Sequence, residues 1–484
     1  MEEILKLLRG SEPHKAINLL ISEELNPFDI DNFRAEHDDL KRDLRRSQVG
    51  RIQKDKTVKG RPVNAVKIPV PFQNRIVTTS TAFEVGEPIT LVPEVLDTGK
   101  PKNDLTKEID RLWKVNRLDN KLQKLIKLKK SETQSAILFY TQKTTAESRS
   151  NRLRGTDSSR EIKSKVLENK NGRMAPYYDP FGDMVAFTWS FDTTVNGKTL
   201  SNVWVYTDTK VFKMDNRSGK ASLVSEDRHG FTKIPVVYFE QDNPEWFVAQ
   251  PMIDRIEVAM SKLGASNDYS GHPILMLYGE VEGAPDKDED GKALRFNMIR
   301  DEADKMHHGD AKFLTHDEAP ESVRMELDRL EKYIYTMTST PDISFDNIKG
   351  LGDVSGVAIR LMFLDAIMKA KLNEGDNRTA VERMVNVMVS GVTTTTKTGL
   401  KEQARDTIFG VQFNSILPDD LRDSVETYSL AVQTGIMSVE SAVETLDLSP
   451  DAERELANIG KDQARKQQKG EDPTEDNPPA PPTE

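Results

Sequence analysis

Between Lys107 and Lys130 apolar residues return at Ile109, Leu112, Leu118, Leu122 and Ile126 while lysines fill the other face, which predicts an amphipathic helix. The same period predicts a helix at "NPEWFVAQPMIDRIEVAMSKLGASND", striped by Ile253, Ile256, Met260 and Leu263, with Pro251 suited to its first turn. Another falls on "ESVRMELDRLEKYIYTM", striped by Val323, Leu327, Leu330 and Ile334. From Ser355 to about Val389 one long helix is expected, with Leu361, Leu364, Ala366, Ile367, Ala370 and Leu372 on its apolar side and a bend at Gly375. Short helices open the chain at Glu3–Leu8 and His14–Glu24. Three more close it, at Pro418–Thr434, Ser438–Leu446 and Pro450–Gln463. Gly435 ends the first of these, and Ser438 and Ser449 are N-cap candidates for the others.

The period drops to two in "MVAFTWSFDTTVNGKTLSNVWVYTD", where Asn196-Gly197 signals a two-residue hairpin turn. "KVFKMDNRSGKASLVS" repeats the device around a turn at Asp215–Lys220. Strand-like runs also occur at "AVKIPV", "EPITLVPEV", "HPILMLYGEVE" and "TIFGVQFN". No internal repeat is visible. The tail "KGEDPTEDNPPAPPTE" is polar and proline-rich, and disorder is expected there.

At 484 residues the chain exceeds what one core usually organises, so two to four domains are expected. No run of eighteen apolar residues is present to span a membrane. The start, "MEEILKLLRG", has no basic leader and apolar block, so secretion is not expected. The absence of cysteine excludes disulfides and thiolate metal sites and fits a reducing cytoplasm. A net charge of −11 argues against a protein that simply wraps nucleic acid. The exception is Lys41–Lys67, with ten basic residues against two acids, read as a solvated, partly disordered loop or a contact for an anionic partner.

Enzyme chemistry finds little purchase. The glycines of "STPDISFDNIKGLGDVSGVAIR" are spaced G-x-G-x-x-x-G after a helix, whereas the dinucleotide fingerprint needs G-x-G-x-x-G directly after a buried strand. No G-x-x-x-x-G-K-[ST] occurs. "DKDEDG", from Asp286, begins like an EF-hand loop, but the twelfth position is Asn297 rather than a bidentate glutamate, so a solvated acidic turn is the better reading. His307-His308 sits in a polar stretch, expected to be an exposed loop, without a further ligand at helical spacing. No hydrolase or zinc signature is present, and no carboxylate pair is singled out. Neither a cofactor nor a metal is expected.

Several segments in order resemble the portal proteins of tailed bacteriophages, the siphophage-type head-to-tail connectors. These are "NRIVTTSTAFEVGEPITL", "HGFTKIPVVYFEQDNPEWFVAQPMIDRIEVAMSKLGASNDYSGHPILMLYG", "STPDISFDNIKGLGDVSGVAIRLMFLDAI" and "LPDDLRDSVETYSLAVQTGIMSVESAVETL". Thr340–Asp342 and Ser355–Ala358 carry the family's Thr-Pro-Asp and Ser-Gly-x-Ala. "TTST" stands where the family usually has Asp-x-Lys.

The resemblance implies an α+β portal fold assembled as a ring, usually of twelve subunits, at one capsid vertex. It implies a mixed wing over 1–245, a stem helix over 246–270, a clip over 271–320 and a second stem helix over 321–340. A tunnel loop over 341–355, a tunnel helix over 356–389, a wing return strand over 390–416, a crown over 417–466 and a tail over 467–484 complete it. Asp342, Asp346, Asn347, Lys349, Gly350, Gly352, Asp353, Ser355 and Gly356 would face double-stranded DNA. In the clip, Asp286, Asp288, Glu289, Asp290 and Arg295 would face the terminase and later the connector proteins. The implied partners also include major capsid and scaffolding proteins, for which Lys41–Lys67 is a candidate contact. The stem helices, poorly buried in a monomer, would pack on those of neighbours. The implied location is the portal vertex of the virion after assembly in the host cytoplasm, with no membrane and no catalysis. Another virion ring or adaptor, or a metal-dependent nucleic-acid enzyme, stays open as an alternative.

Overall fold

The computed structural model describes residues 2–10, 13–21, 27–38, 48–58, 60–96, 103–145, 158–195, 197–215, 222–270, 274–278, 281–282, 295–296, 299–300, 306–307, 310–314, 320–342, 360–416, 421–446 and 454–461. They form two units, one over 1–343 and 363–416, the other over 344–362 and 417–484.

A β-rich body dominates the first unit. Strands β6 (Arg173–Tyr178), β7 (Met184–Val195), β8 (Lys198–Tyr206), β9 (Lys210–Asp215) and β10 (Ser222–Arg228) make an antiparallel meander in the order β10-β9-β8-β7-β6. The β7–β8 turn is the expected one: Val195 pairs with Lys198, and Gly197 takes φ 72°, a conformation glycine adopts without penalty. The period of two sorts the side chains. Phe187, Trp189, Tyr206 and Val211 face a second sheet, β11 (Val236–Glu240), β4 (Gln134–Lys143) and β5 (Arg160–Leu167), while Ala186, Val205, Phe212 and Met214 meet α1 (Glu2–Arg9) and α2 (Pro13–Leu20). Burying both faces explains why β7 and β8 carry so many aromatic and β-branched residues.

On the other side of the three-stranded sheet lie α6 (Asp104–Val115), α7 (Leu118–Glu132) and α10 (Leu364–Gly391). The single helix expected over Lys107–Lys130 is in fact α6 and α7. Asn116 closes α6 by donating to the Leu112 and Ile162 carbonyls, and Arg117 at φ 51° turns the chain before α7 starts. The stripe survives because the break moves it onto the same core. Asn103 caps α6 reciprocally with Thr106, and β3 (Thr90–Val95) pairs with β18 (Thr407–Gln412).

The sequence reading missed α5 (Phe72–Val85), α3 (Pro27–His37) and α4 (Gln48–Ile52). It also placed a strand at "AVKIPV", and the structure has none there. That segment lies along α8 (Gln250–Ser270): Ser261 Oγ accepts the Ile68 N–H at 2.9 Å, and Glu257 Oε1 accepts that of Val70 at 3.0 Å. Side chains of a helix, not a neighbouring strand, satisfy this extended backbone. The described part of the basic segment holds α4 and the hairpin β1 (Lys56–Val58)–β2 (Arg61–Val63), tied by Asp55, which accepts from the Ala65 N–H and the Lys67 ammonium.

The expectation of poorly buried stem helices fails for α8. Ile253, Ile256, Val258 and Ala259 are buried within the chain, against α4, α5 and α9 (Pro320–Thr338). Between α8 and α9 the described backbone forms three antiparallel pairs. They are β12 (Ile274–Tyr278) with β17 (Asp310–Leu314), β13 (Val281–Glu282) with β14 (Arg295–Phe296), and β15 (Ile299–Arg300) with β16 (Met306–His307). His307 therefore lies in a short strand rather than the expected loop. α10 runs through Gly375 uninterrupted; the irregularity is at Phe363, between the helical residues 360–362 and Leu364.

In the second unit α11 (Leu421–Gln433) and α12 (Val439–Leu446) pack together. Gly435 at φ 74° ends α11, and Ser438 Oγ accepts the Ser441 N–H at 3.1 Å, as the cap positions predicted. Residues 454–461 are helical, within the third expected helix.

The candidate loop root and outward-facing helix stripes

Of the loop residues singled out by sequence, Asp342 lies at the exposed end of the segment leaving α9. Asp346, Asn347, Lys349, Gly350, Gly352, Asp353, Ser355 and Gly356 fall outside the described residues, as do Asp286, Asp288, Glu289 and Asp290. Arg295 is in β14, opposite Glu282. The chain up to Asp342 and again from Arg360 onward is described.

The first root is a tight stop. Thr338 ends α9 with its hydroxyl on the Ile334 carbonyl, and Ser339 takes φ 52°, which costs a non-glycine residue about 1 kcal/mol. The buried Thr340 donates its N–H to the Tyr335 carbonyl and meets the Thr338 hydroxyl at 2.9 Å. The following proline then prevents helix from continuing. At the second root Phe363 packs on Phe83 of α5, ring centroids 5.8 Å apart. Six residues on, Lys369 reaches back. Its ammonium donates to the Thr338 carbonyl at 2.6 Å and pairs with Glu245 at 2.6 Å. A single side chain thus fastens the two roots together.

Glu245 belongs to a buried network. Lys130 of α7 lies 2.7 Å from Glu84 and 3.3 Å from Glu245, all three almost wholly buried. Ser80 donates to Glu245, and Asn373 and Asn377 of α10 donate to the two Glu84 oxygens at 2.6 and 2.9 Å. Burial alone would raise the Glu245 carboxyl, but the Lys130 and Lys369 cations beside it bring it down to about 2. Burial pushes the neighbouring Lys129 ammonium down. Alternating charges in contact can be kept buried where isolated ones cannot. The result is a rigid joint between α5, α7, the corner before α8, the end of α9 and the start of α10. Sequence reasoning missed it, although a signal existed: Lys130 continues the four-residue series Leu118, Leu122, Ile126 on the buried face of α7.

Beyond the joint the helices turn apolar side chains outward. On α10, Leu364, Met368 and Leu372 follow one another every four residues, exposed by 43, 57 and 81%. The apolar side expected for this helix is therefore largely uncovered, and only Ala366 of that set is buried. On α9, Tyr333 and Met337 are exposed one turn apart, and Met325 is exposed two turns before them on the far side of Arg329. Isolated exposed apolar residues need no explanation, but rows at helical spacing on two helices form a surface suited to contact. Among the described residues no three or more His, Cys, Asp or Glu converge as for a metal ion, and no helix is long and apolar enough to cross a membrane.

Residues 30–469 match the family described as "Phage portal protein, SPP1 Gp6-like". The chain belongs to that family. The fold of this portal-family chain is similar to chains in structures of a gene transfer agent (GTA) particle. In the neck of the empty particle computed with C6 symmetry the identity is 12% and the TM-score 0.42, over 80% of this chain and 91% of that one. In the neck of the native particle computed with C12 symmetry the values are 12% and 0.39, over 78% and 92%. In the virion of the native particle they are 13% and 0.37, over 80% and 91%. The comparison with curated proteins gives no match.

Proposed function

We propose that this portal-family chain is one subunit of a ring at a single capsid vertex, the conduit for packaging and ejecting double-stranded DNA. The observation that carries the reading is the pair of outward stripes on α9 and α10, either side in sequence of the 343–359 stretch. A surface that meets a different surface on an identical copy repeats until a ring closes. Residues 1–245 with 390–416 act as the wing, 246–270 and 321–340 as the stem, 271–320 as the clip, 341–355 as the tunnel loop, 356–389 as the tunnel helix and 417–466 as the crown.

The chemistry of the loop suits a conduit. Affinity for DNA grows steeply with each phosphate neutralised, so one lysine per subunit repeated around a bore would grip the genome. Asp342, Asp346 and Asp353 outnumber Lys349. The joint at Lys369 and Glu245 holds the chain on either side of 343–359 in place, and glycine at 350, 352 and 356 is the residue type that best tolerates the backbone changes a passing twisted polyanion would demand. The ring performs no catalysis, the packaging ATPase being a separate protein docked on the clip, where Arg295 and the nearby acids meet it and later the connector. Capsid and scaffolding proteins meet the wing.

Electron microscopy of the purified protein tests this. The expected particles are closed rings of 54.6 kDa subunits with a central opening wide enough for duplex DNA. Compact single subunits at micromolar concentration would overturn it.

A further inference from the structure

The five-stranded sheet is one strand short at one end. β6 pairs with β7 only from Tyr178 back to Arg173, opposite Ser190, whereas β7 runs on to Val195 with β8 as its sole neighbour among the described residues. Gly172 explains the stop. A side chain there would come within 2.4 Å of the Ser190 carbonyl and 2.7 Å of the Trp189 ring, so the chain touches β7 and then turns away through Asn169–Asn171. The flank of Phe191–Val195 that β6 leaves is an open main-chain edge, and alternate residues along it aim N–H and C=O groups outward.

This edge forms one wall of a groove of about 770 Å³ whose other walls carry charge. Arg34, Lys165, Lys170 and Arg173 line it against Asp31 and Asp192, an excess of cations in an acidic protein. Arg34 and Arg173 are positioned from both sides by Asp31, each through Nη2, at 2.7 and 2.8 Å. The Nη1 of each is buried and has no hydrogen-bond partner, which leaves both guanidinium groups with unused donors. Asn169, almost wholly buried, lies at the base. Lys165 and Lys170 are exposed at the rim. Lys170 pairs with Glu168 at 2.9 Å, a carboxylate that Lys124 also holds at 2.7 Å, so Lys170 can turn to a competing carboxylate without leaving Glu168 uncompensated.

We infer that this groove binds an extended acidic segment of a partner polypeptide, which continues the line of β6 along Phe191–Val195 and sets its carboxylates against Arg34, Arg173, Lys165 and Lys170. Strand addition supplies main-chain hydrogen bonds, and the cations select for charge. Single-stranded nucleic acid fits less well. Trp189 is buried and stacked on Phe191, which in turn meets Trp204 edge-on, so no ring is free to take a base.

The test uses the full-length protein and a fluorescent heptapeptide of alternating glutamate and threonine, with the lysine–threonine counterpart and a thymidine oligonucleotide as comparison probes. Expected are saturable binding of the acidic peptide alone, slowed amide exchange confined to Phe191–Val195 in its presence, and a loss of about tenfold or more in the Lys165→Glu/Lys170→Glu variant. Both lysines are exposed, so an unchanged melting curve verifies that the variant is folded. Binding unaffected by the double substitution, protection elsewhere, or no binding at millimolar peptide overturns the inference. An oligonucleotide that protects the same amides better than the peptide overturns it in favour of nucleic acid.

Discussion

The two halves of α10 share one helix and one apolar period but not one fate. Val381, Met384, Val385 and Met388 follow the chain's own core and are completely buried among α6, α7 and the three-stranded sheet. Leu364, Met368 and Leu372, half a helix earlier, face outward. Periodicity says that a face is apolar; it does not say what covers it. Burying a side chain of this size is worth about 1.5–3 kcal/mol, so the exposed row forgoes a contribution comparable to a large part of a domain's net stability. In the ring reading a neighbour supplies that cover. The buried joint at Glu84, Lys130, Glu245 and Lys369 marks where one regime gives way to the other.

The sharpest break is at the joint. Lys130→Met leaves the buried Glu84 without a cation and Glu245 with Lys369 alone, and a loss of about 3–5 kcal/mol is expected in urea unfolding. Adding Glu84→Gln should recover part of it. Next come the two halves compared directly. Met384→Ala opens a cavity in the core and should cost about 2–5 kcal/mol, whereas Met368→Ala should leave the stability of the isolated subunit unchanged within about 0.5 kcal/mol. Equal losses at both positions would show that the row at Leu364–Leu372 is covered within the subunit.

Overpacking gives a smaller effect. A methyl at Gly391 would meet the Phe231 ring at 2.5 Å and Ile162 at 2.9 Å, so Gly391→Ala should lower stability by about 1–3 kcal/mol despite alanine's higher helix propensity. The smallest effect is in the acid range. Glu245 sits at about 2 when folded, against an ordinary glutamate value of about 4.3 when unfolded. Its stabilising share is therefore complete above pH about 4.3 and is lost as pH falls toward 2. The stability gap between the wild type and Glu245→Gln should narrow over that window and stay constant between pH 5 and 7.

How legible this was in the sequence depended on where each segment finds its partners. The β7–β8 hairpin could be read locally, because Asn196-Gly197 fixes the turn and alternation fixes the faces. The caps at Gly435 and Ser438 were local too. "AVKIPV" was misread because its hydrogen bonds go to Ser261 and Glu257, almost two hundred residues away. α5 escaped because threonines and serine interrupt its apolar positions; Ile76 and Val77 face α8 and α9 while Glu84 meets α7 and α10. The break at Arg117 escaped because the stripe continues across it. For the functional reading, the family's motifs pointed to the portal ring, and the charge network at the loop root could have been suspected only from Lys130 falling on a buried stripe.

The most direct measurement is the native mass of the wild type beside that of Leu364→Ser/Met368→Ser/Leu372→Ser, with a melting curve for each. The ring reading predicts a closed multiple of the 54.6 kDa subunit for the wild type, and single subunits that still melt cooperatively for the triple variant. Rings that persist in the triple variant, or a wild type that stays a single subunit, would contradict it.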